Sequence, residues 1–232
     1  MTADIRGDVT GDIEVVRNAR SRRAKLSVDP ASGRVRLTLP TRTPIKAALR
    51  WAEEQRVWID RQRARLPQAR PFAPGAILPV DGASLLIVWA EDAPRRIVRD
   101  GDILTCGGPI DGLSRRIEAW LKREAPCILT DDTAEFAARA GVTVAKVSVG
   151  DPRSRWGSCA STGVIRYSWR LILAPAFVRR STVAHEVAHR VHMNHGPAFH
   201  ALADALTEGD PEESRAWLRA NGAALHWFGL ES

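Results

Sequence analysis

Cysteine, methionine and tyrosine are all scarce in this chain of 232 residues, which holds three, two and one of them respectively. The three cysteines, Cys106, Cys127 and Cys159, form an odd and sparse set, which argues against a disulfide framework and favours a reducing compartment. No stretch approaches the ~18 consecutive apolar residues of a membrane span. The first six residues have no apolar core behind a basic start, so we expect no secretion signal there. The composition therefore predicts a cytoplasmic protein that does not enter a membrane.

Charge is present in ordinary amount but is unevenly placed. The chain is 44% apolar and 26% charged, as is usual for a globular protein of one large or two small domains. Residues 1–70 carry 16 Lys and Arg against 8 Asp and Glu, whereas the remainder carries 18 against 19. A basic excess of +8 in the first third is typical of a surface that faces nucleic acid such as DNA, and equally of a solvated arginine-rich face.

Short-period patterns divide the chain into three predicted regions. In residues 1–70, two alternating runs at 24–28 and 35–39 flank a turn-rich segment and predict a β-hairpin. Thr43 as the N-cap, followed by Pro44 at the first helical position, predicts a helix that runs to about Arg65. Four prolines between Pro67 and Pro79 then mark a boundary.

The second and third regions are predicted to be β-rich and mixed. Residues 71–105 contain a strand at 85–89 and a hairpin across Asp100-Gly101, and form a connecting region. The third region, 106–232, is predicted to be an α+β domain. Its expected elements are a helix from Leu113 that Pro126 kinks or interrupts, an end to that helical stretch at Gly141, strands at 142–149 and 163–169, and a helix from Pro175.

The helix from Pro175 carries the motif His-Glu-x-x-His at His185, Glu186 and His189. Positions four apart lie within ~40° of each other around a helix, so the two imidazoles converge on one ion. Both can bind Zn²⁺ at ~2.1 Å, while Glu186, one step round the helix, reaches a metal-bound water without occupying the metal. The carboxylate then accepts the proton of that water as a general base. The motif predicts one zinc ion per chain.

A third zinc ligand must come from outside this turn of helix. His192 lies ~10 Å along the helix axis from His185, which is too far for a shared ion. His195 can return to the metal if the helix ends first, and Asn194 tolerates the left-handed conformation that we expect at such an end. We favour His195, with His200 as the second candidate, and expect His192 and His226 to be surface or packing residues.

At this point the sequence resembles the YgjP-like metallopeptidases, which are related to the SprT and Spartan zinc peptidases. The segments that carry the resemblance are Arg155-Trp156-Gly157-Ser158-Cys159, Ile165 with Trp169-Arg170-Leu171, His185 to His189, and Met193 to Phe199. The resemblance implies a zincin-like catalytic domain in which His195 is the third ligand. It also implies that the strand of Ile165 follows the active-site cleft, where an edge strand can pair with an extended peptide.

Two further residues are candidates for contact with the substrate. Arg155 can steady an oxyanion or a substrate carboxylate, or simply lock its loop onto the helix. Tyr167, the only tyrosine, can donate a hydrogen bond to the tetrahedral intermediate or pack in its strand. Gly157 indicates a tight turn or a close approach of the backbone.

The sequence therefore predicts a zinc-dependent metallopeptidase that hydrolyses peptide bonds in a protein or peptide substrate, with Glu186 as general base. The alternative is a nucleic-acid-associated zinc protein that acts on DNA-bound or crosslinked proteins, or a non-catalytic zinc-binding module. The basic N-terminal region motivates the nucleic-acid alternative.

Overall fold

A computed structural model of the chain describes residues 5–10 and 12–231, and describes side chains from residue 12 onward. The expected absence of a secretion signal was based on residues 1–6, of which residues 1–4 lie outside the described residues. The chain forms two compact units, Met1–Gln68 and Ala69–Ser232. The described residues contain six α-helices and three small sheets, which confirms a mixed α+β protein. None of the described helices combines the length and the apolar character that crossing a membrane requires.

The first unit is built on a four-stranded sheet. Its strands are β1 (Ile5–Thr10), β2 (Ile13–Arg17), β3 (Lys25–Val28) and β4 (Val35–Leu39), in the order β1-β2-β4-β3. The antiparallel pairing of β3 with β4 confirms the predicted hairpin. In contrast, the parallel pairing of β2 with β4 joins strands that are distant in sequence.

Two short helices follow the sheet where the sequence predicted one. They are α1 (Ile45–Glu54) and α2 (Arg56–Arg63), separated at Gln55. The helix begins after Pro44, and no side chain caps it, so the prediction of Thr43 as the cap was wrong. Ala48, Ala52 and Ile59 are buried against alternate residues of β2 and β4 and complete a core of their own.

The second unit opens with another four-stranded sheet. Its strands are β5 (Ile77–Val80), β6 (Ala83–Trp89), β7 (Val98–Asp100) and β8 (Ile103–Cys106), in the order β5-β6-β8-β7. The predicted hairpin across Asp100-Gly101 is the β7–β8 pair. Inward-facing residues of β5, β6 and β8 share one hydrophobic core with the helices that follow. The division into regions 1–70, 71–105 and 106–232 stays a prediction.

A long central helix, α3 (Leu113–Ala140), continues through Pro126. Of the expected kink or interruption, the interruption was therefore wrong, and the kink stays a prediction. Proline lacks an N–H and removes one helical hydrogen bond. Leu121, Ala125 and Leu129 are buried on either side of it, and their packing holds the helix together. The helix ends at Gly141, whose backbone is left-handed as predicted.

The remaining elements surround α3. A three-stranded sheet contains β9 (Lys146–Gly150), β10 (Gly157–Cys159) and β11 (Val164–Ser168), in the order β10-β11-β9. The first of these strands is shorter than the predicted 142–149. Three helices complete the unit: α4 (Ala176–Ala188), α5 (Pro197–Leu206) and α6 (Pro211–Leu225).

Candidate metal centre

Helix α4 holds His185 and Glu186 in its last turn, because its apolar face is buried along its length. Val183, Ala184 and Val187 are fully buried in the core of the second unit. On the same helix, Arg179 donates to the Asp132 carboxylate of α3 at 2.7 Å. The helix is therefore fixed both by apolar packing and by a buried ion pair.

The helix ends at His189, and the chain then turns back toward it. The backbone N–H groups of Arg190 and His192 donate to the carbonyls of Val187 and Ala188, which closes the last turn tightly. Asn194 does not have the left-handed backbone that we predicted, since Asp81 is the only non-glycine residue with positive φ in the described part of the chain. The turn nevertheless brings His195, which lies just before α5, next to His185 and His189.

Three imidazole nitrogens meet at this turn. His189 Nε2 lies 3.1 Å from His195 Nε2, which in turn lies 3.3 Å from His185 Nε2. Donors arranged tetrahedrally at the usual ~2.0–2.1 Å of a Zn–N bond are about 3.3–3.4 Å apart. The group His185, His189 and His195 can therefore hold one metal ion.

The protonation of these rings suits metal binding. His189 Nδ1 lies 3.0 Å from the His192 carbonyl oxygen, which fixes Nδ1 as the donor and leaves the lone pair on Nε2. Burial, together with the charges of the neighbouring histidines, lowers the pKa of His185 to about 4. Burial also lowers the pKa of His189. Both rings are therefore neutral near pH 7.

The side chain that supports the three imidazoles is Phe199 of α5, which the sequence analysis did not single out. Its ring stacks on His189 at 4.4 Å between centroids and meets His185 and His195 edge-on at 4.9 and 4.7 Å. Only 1% of its surface is exposed. The sequence signal that could have identified Phe199 is its position four residues after His195, on the first turn of the next helix.

The other histidines lie outside this group. The exposed His200 ring has its centroid 6.3 Å from that of His195 and adds no nitrogen to the cluster. His192 contributes its backbone carbonyl, through the bond to His189. His226 is buried and its ring lies 5.2 Å from that of Trp156.

Glu186 is buried against strand β10. A Cβ added to Gly157 would lie 2.6 Å from both Cγ and Oε1 of Glu186, so only glycine permits this approach. Burial raises the pKa of Glu186 to about 7, against the opposing effects of the Arg155 charge and a hydrogen bond from the Cys159 backbone. Of the two predicted interpretations of Gly157, the close backbone approach is confirmed.

Arg155 itself is exposed at the start of this segment and acts on Glu186 through its charge. Cys159, at the other end of β10, is half-buried, and burial raises the pKa of its thiol. The segment from Arg155 to Cys159 thus surrounds Glu186 with one cation, one glycine backbone and one backbone donor.

The two other predicted substrate residues lie in the core. Ile165 and Tyr167 belong to β11, and both have 0% exposed surface. The Tyr167 hydroxyl lies 3.1 Å from Thr133 Oγ1, which itself donates to the Leu129 carbonyl, so the tyrosine is the donor of this pair. The expectation that β11 is an edge strand was wrong, because β10 and β9 flank it on both sides. The edge of this sheet that meets α4 is β10.

His185 and Glu186 both open onto one cavity of about 240 Å³ between α4, α5, α6 and β10. A group of three histidines that can hold a metal ion, an adjacent buried carboxylate and a cavity beside them are the parts of a site for hydrolysis.

Comparison with known proteins gives one result. The family model described as YgjP-like, metallopeptidase domain, matches residues 22–221. No curated protein and no solved structure matches the chain.

Proposed function

We propose that this chain, which belongs to the YgjP-like metallopeptidase family, is a zinc peptidase that hydrolyses peptide bonds with His185, His189 and His195 as metal ligands. The observation that carries the proposal is the convergence of three imidazole nitrogens next to the buried side chain of Glu186. A structural zinc site usually has four protein ligands, whereas a catalytic site has three and an open position.

The donor set fits zinc. Three converging imidazoles suit Zn²⁺, and a hydrogen bond to the His192 carbonyl orients one of them. When bound, Zn²⁺ supplies Lewis acidity, which polarises a peptide carbonyl and lowers the pKa of water toward ~7. The buried Phe199 ring packs against all three imidazoles and helps to hold them in place.

Glu186 supplies the proton transfers. In our proposal its carboxylate accepts a proton from the attacking water and delivers it to the departing amine. The Gly157 backbone fixes the side chain from one side. Arg155, exposed nearby, is placed to attract a carboxylate or a developing negative charge. The strand edge of β10 offers backbone groups to an extended substrate.

The test compares two substitutions. Glu186→Gln is expected to keep one zinc per chain and to lower the turnover of a denatured protein such as casein by about 10²-fold or more, the usual contribution of a general base. His195→Ala is expected to lose zinc. His200→Ala is the matched control and should retain both zinc and turnover. Full activity of Glu186→Gln would contradict the mechanism, and unchanged zinc content of His195→Ala would contradict the ligand set.

A second candidate function concerns the first unit, and a specific observation favours it. Arg17 donates to the carbonyls of Pro40, Thr41 and Thr43, and thereby ties the loop at 40–43 to the end of β2, from which the loop at 18–24 departs. Arg20, Arg22, Arg23 and Arg42 are the cations that this arrangement brings to one end of the sheet. None of them has an acidic partner among the described residues.

We therefore propose that these arginines bind nucleic-acid phosphates, so that the peptidase acts on proteins held on DNA. Such binding weakens with salt, with a log–log slope of about −0.9 for each neutralised phosphate on duplex DNA. Replacing Arg20, Arg22 and Arg23 by Gln should make the slope shallower by up to about 3. Replacing Arg95, Arg96 and Arg99 of the second unit by Gln removes equal charge and should leave the slope unchanged. Equal effects of the two triple variants would contradict the proposal, and zinc binding without cleavage would favour a non-catalytic module.

A further inference from the structure

The cavity beside Glu186 has the size of a side-chain pocket. Its volume is about 240 Å³, which is below the ~300–1,000 Å³ of sites that enclose a whole small ligand. It opens onto His185 and Glu186, the two residues that would flank the scissile bond. A single substrate side chain next to that bond therefore matches the cavity in both size and position.

Most of the surface that faces this pocket is apolar, although the side chains of Ser181, Thr207 and Ser214 also line it. Leu218 of α6, Ala203 of α5 and the Trp156 indole line it, with Thr182 one turn before His185 on α4. Trp156 is backed by His226, whose ring lies 5.2 Å away. Transfer of an aliphatic or aromatic side chain from water into such a pocket is favourable by about 25 cal/mol for each Å² of apolar surface removed from water.

The charged side chains at the pocket keep contact with water. Asp204 and Arg215 are the ionisable residues that line it besides His185 and Glu186, and they lie 4.0 Å apart, each about half exposed. Arg215 also pairs with Glu212 at 3.0 Å. A charged substrate side chain would lose hydration in the pocket and gain only a partner that water screens, so the pocket discriminates against it.

We propose that this pocket selects peptide substrates that carry an uncharged apolar side chain, aliphatic or aromatic, next to the scissile bond, and that Leu218 sets its depth. The inference rests on the proposed peptidase activity and adds the substrate class. Segments rich in such residues are buried in folded proteins and exposed in unfolded ones. The selected substrates are therefore unfolded or extended chains.

The experiment is a digestion of a mixed peptide library by the zinc-loaded full chain, with every cleavage position read by mass spectrometry. Leucine, methionine or phenylalanine should be enriched over alanine and over charged residues by about 10-fold or more at one position beside the cleaved bond, as for a pocket that discriminates by size. Leu218→Trp, which fills the pocket, should bring the leucine-to-alanine ratio toward one. Leu218→Ala should shift the preference toward larger side chains.

Leu202→Ala is the matched control, because Leu202 is a partly buried leucine of α5 that does not line the cavity. It should keep the preference of the natural chain, and all variants should retain one zinc. Cleavage without a positional preference, or a preference that both Leu218 variants leave unchanged, would overturn the inference while leaving the peptidase in place. Absence of all cleavage by the zinc-loaded natural chain would overturn the proposed function, and this inference with it.

Discussion

The two units of the chain treat their charged groups in opposite ways. In the described part of the first unit every charged side chain keeps contact with water, and pairs such as Arg56–Asp12 lie at the surface. The second unit buries several ionisable side chains. These are Asp132, Arg170, Arg179, Glu186, His189 and His226. The first unit therefore keeps its charged groups in contact with water. The second unit desolvates several of its own, and the pKa values of Asp132, Glu186 and His189 are shifted as a result.

Two buried carboxyl groups of the second unit have different surroundings. Asp132 forms an ion pair with the buried Arg179, and burial raises the pKa of Asp132 even though the charge of Arg179 opposes the shift. Glu186 has no cation hydrogen-bonded to it, and burial raises its pKa to about 7 against the charge of Arg155. A carboxyl group with a raised pKa in a cavity beside a metal-binding cluster is a mark of a functional site, and the comparison separates it from the structural pair. The predictions below test this separation.

The largest effect is expected from Gly157→Ala. The new methyl group would lie 2.6 Å from Glu186 Cγ and would force the carboxylate away from its position. We expect a loss of turnover of about 10²-fold or more, as for removal of a general base, with zinc content unchanged. Steady-state hydrolysis of casein and metal analysis of the purified variant measure the two quantities.

The control for Gly157→Ala is Gly150→Ala in the same sheet. There the nearest atom to the new methyl group would be Pro152 Cδ at 3.9 Å, an ordinary contact. This variant should keep its turnover. If both variants were equally active, the catalytic position of the Glu186 carboxylate would not depend on its close contact with the backbone of β10.

The second prediction compares ion pairs of the two units. Arg179→Met leaves Asp132 buried without its main partner, and breaking a buried pair in this way costs about 3–5 kcal/mol. Arg56→Met removes an exposed pair in the first unit and should have no measurable effect. Amide hydrogen exchange reports each unit separately, so protection should fall in α3 and α4 for the first variant only. Equal loss of protection in the two variants would show that burial does not distinguish the pairs.

Local sequence patterns predicted the parts of this fold that depend on neighbouring residues. The β3–β4 hairpin follows from two alternating runs around one turn, and the end of α3 follows from Gly141. The parallel pairing of β2 with β4 and the continuity of α3 through Pro126 were not predicted. Both depend on packing between residues that are distant in sequence, and such packing overrides local propensity.

The same distinction applies to the candidate site. The spacing of His185 and His189 follows from helix geometry alone, and a motif therefore suffices to propose it. The contact between Glu186 and Gly157 joins segments 29 positions apart, and no local rule places β10 beside α4. The position of β11 in the middle of its sheet likewise depends on β9, which precedes β10 in the chain. The family resemblance had implied that the strand of Ile165 follows the cleft, and Tyr167 was expected either to contact the intermediate or to pack in its strand. Both side chains lie in the core, so packing is the outcome for Tyr167.

The smallest predicted effect concerns pH and the Asp151–Arg170 pair. Burial alone would raise the pKa of Asp151, but the hydrogen bonds and the charge of Arg170 hold it below its ordinary value of 3.8. Because the folded-state pKa is depressed, the pair stabilises the second unit above pH 3.8, and this contribution is lost as the pH falls through the lower folded-state value.

Asp151→Asn removes this dependence. The variant should be less stable than the natural chain at about pH 6, and the difference should shrink as the pH falls toward about 2. Urea unfolding followed by exchange protection in α6 measures it, since Arg170 also donates to the Leu225 carbonyl at the end of that helix. Asp12→Asn is the counterpart in the first unit, where Arg63 and Arg56 lower the pKa of an exposed carboxyl. Its effect should disappear at high salt, because salt screens exposed pairs more than partly buried ones, whereas the effect of Asp151→Asn should persist. Equal screening of the two would mean that the two units do not differ in how they shelter their charges from water.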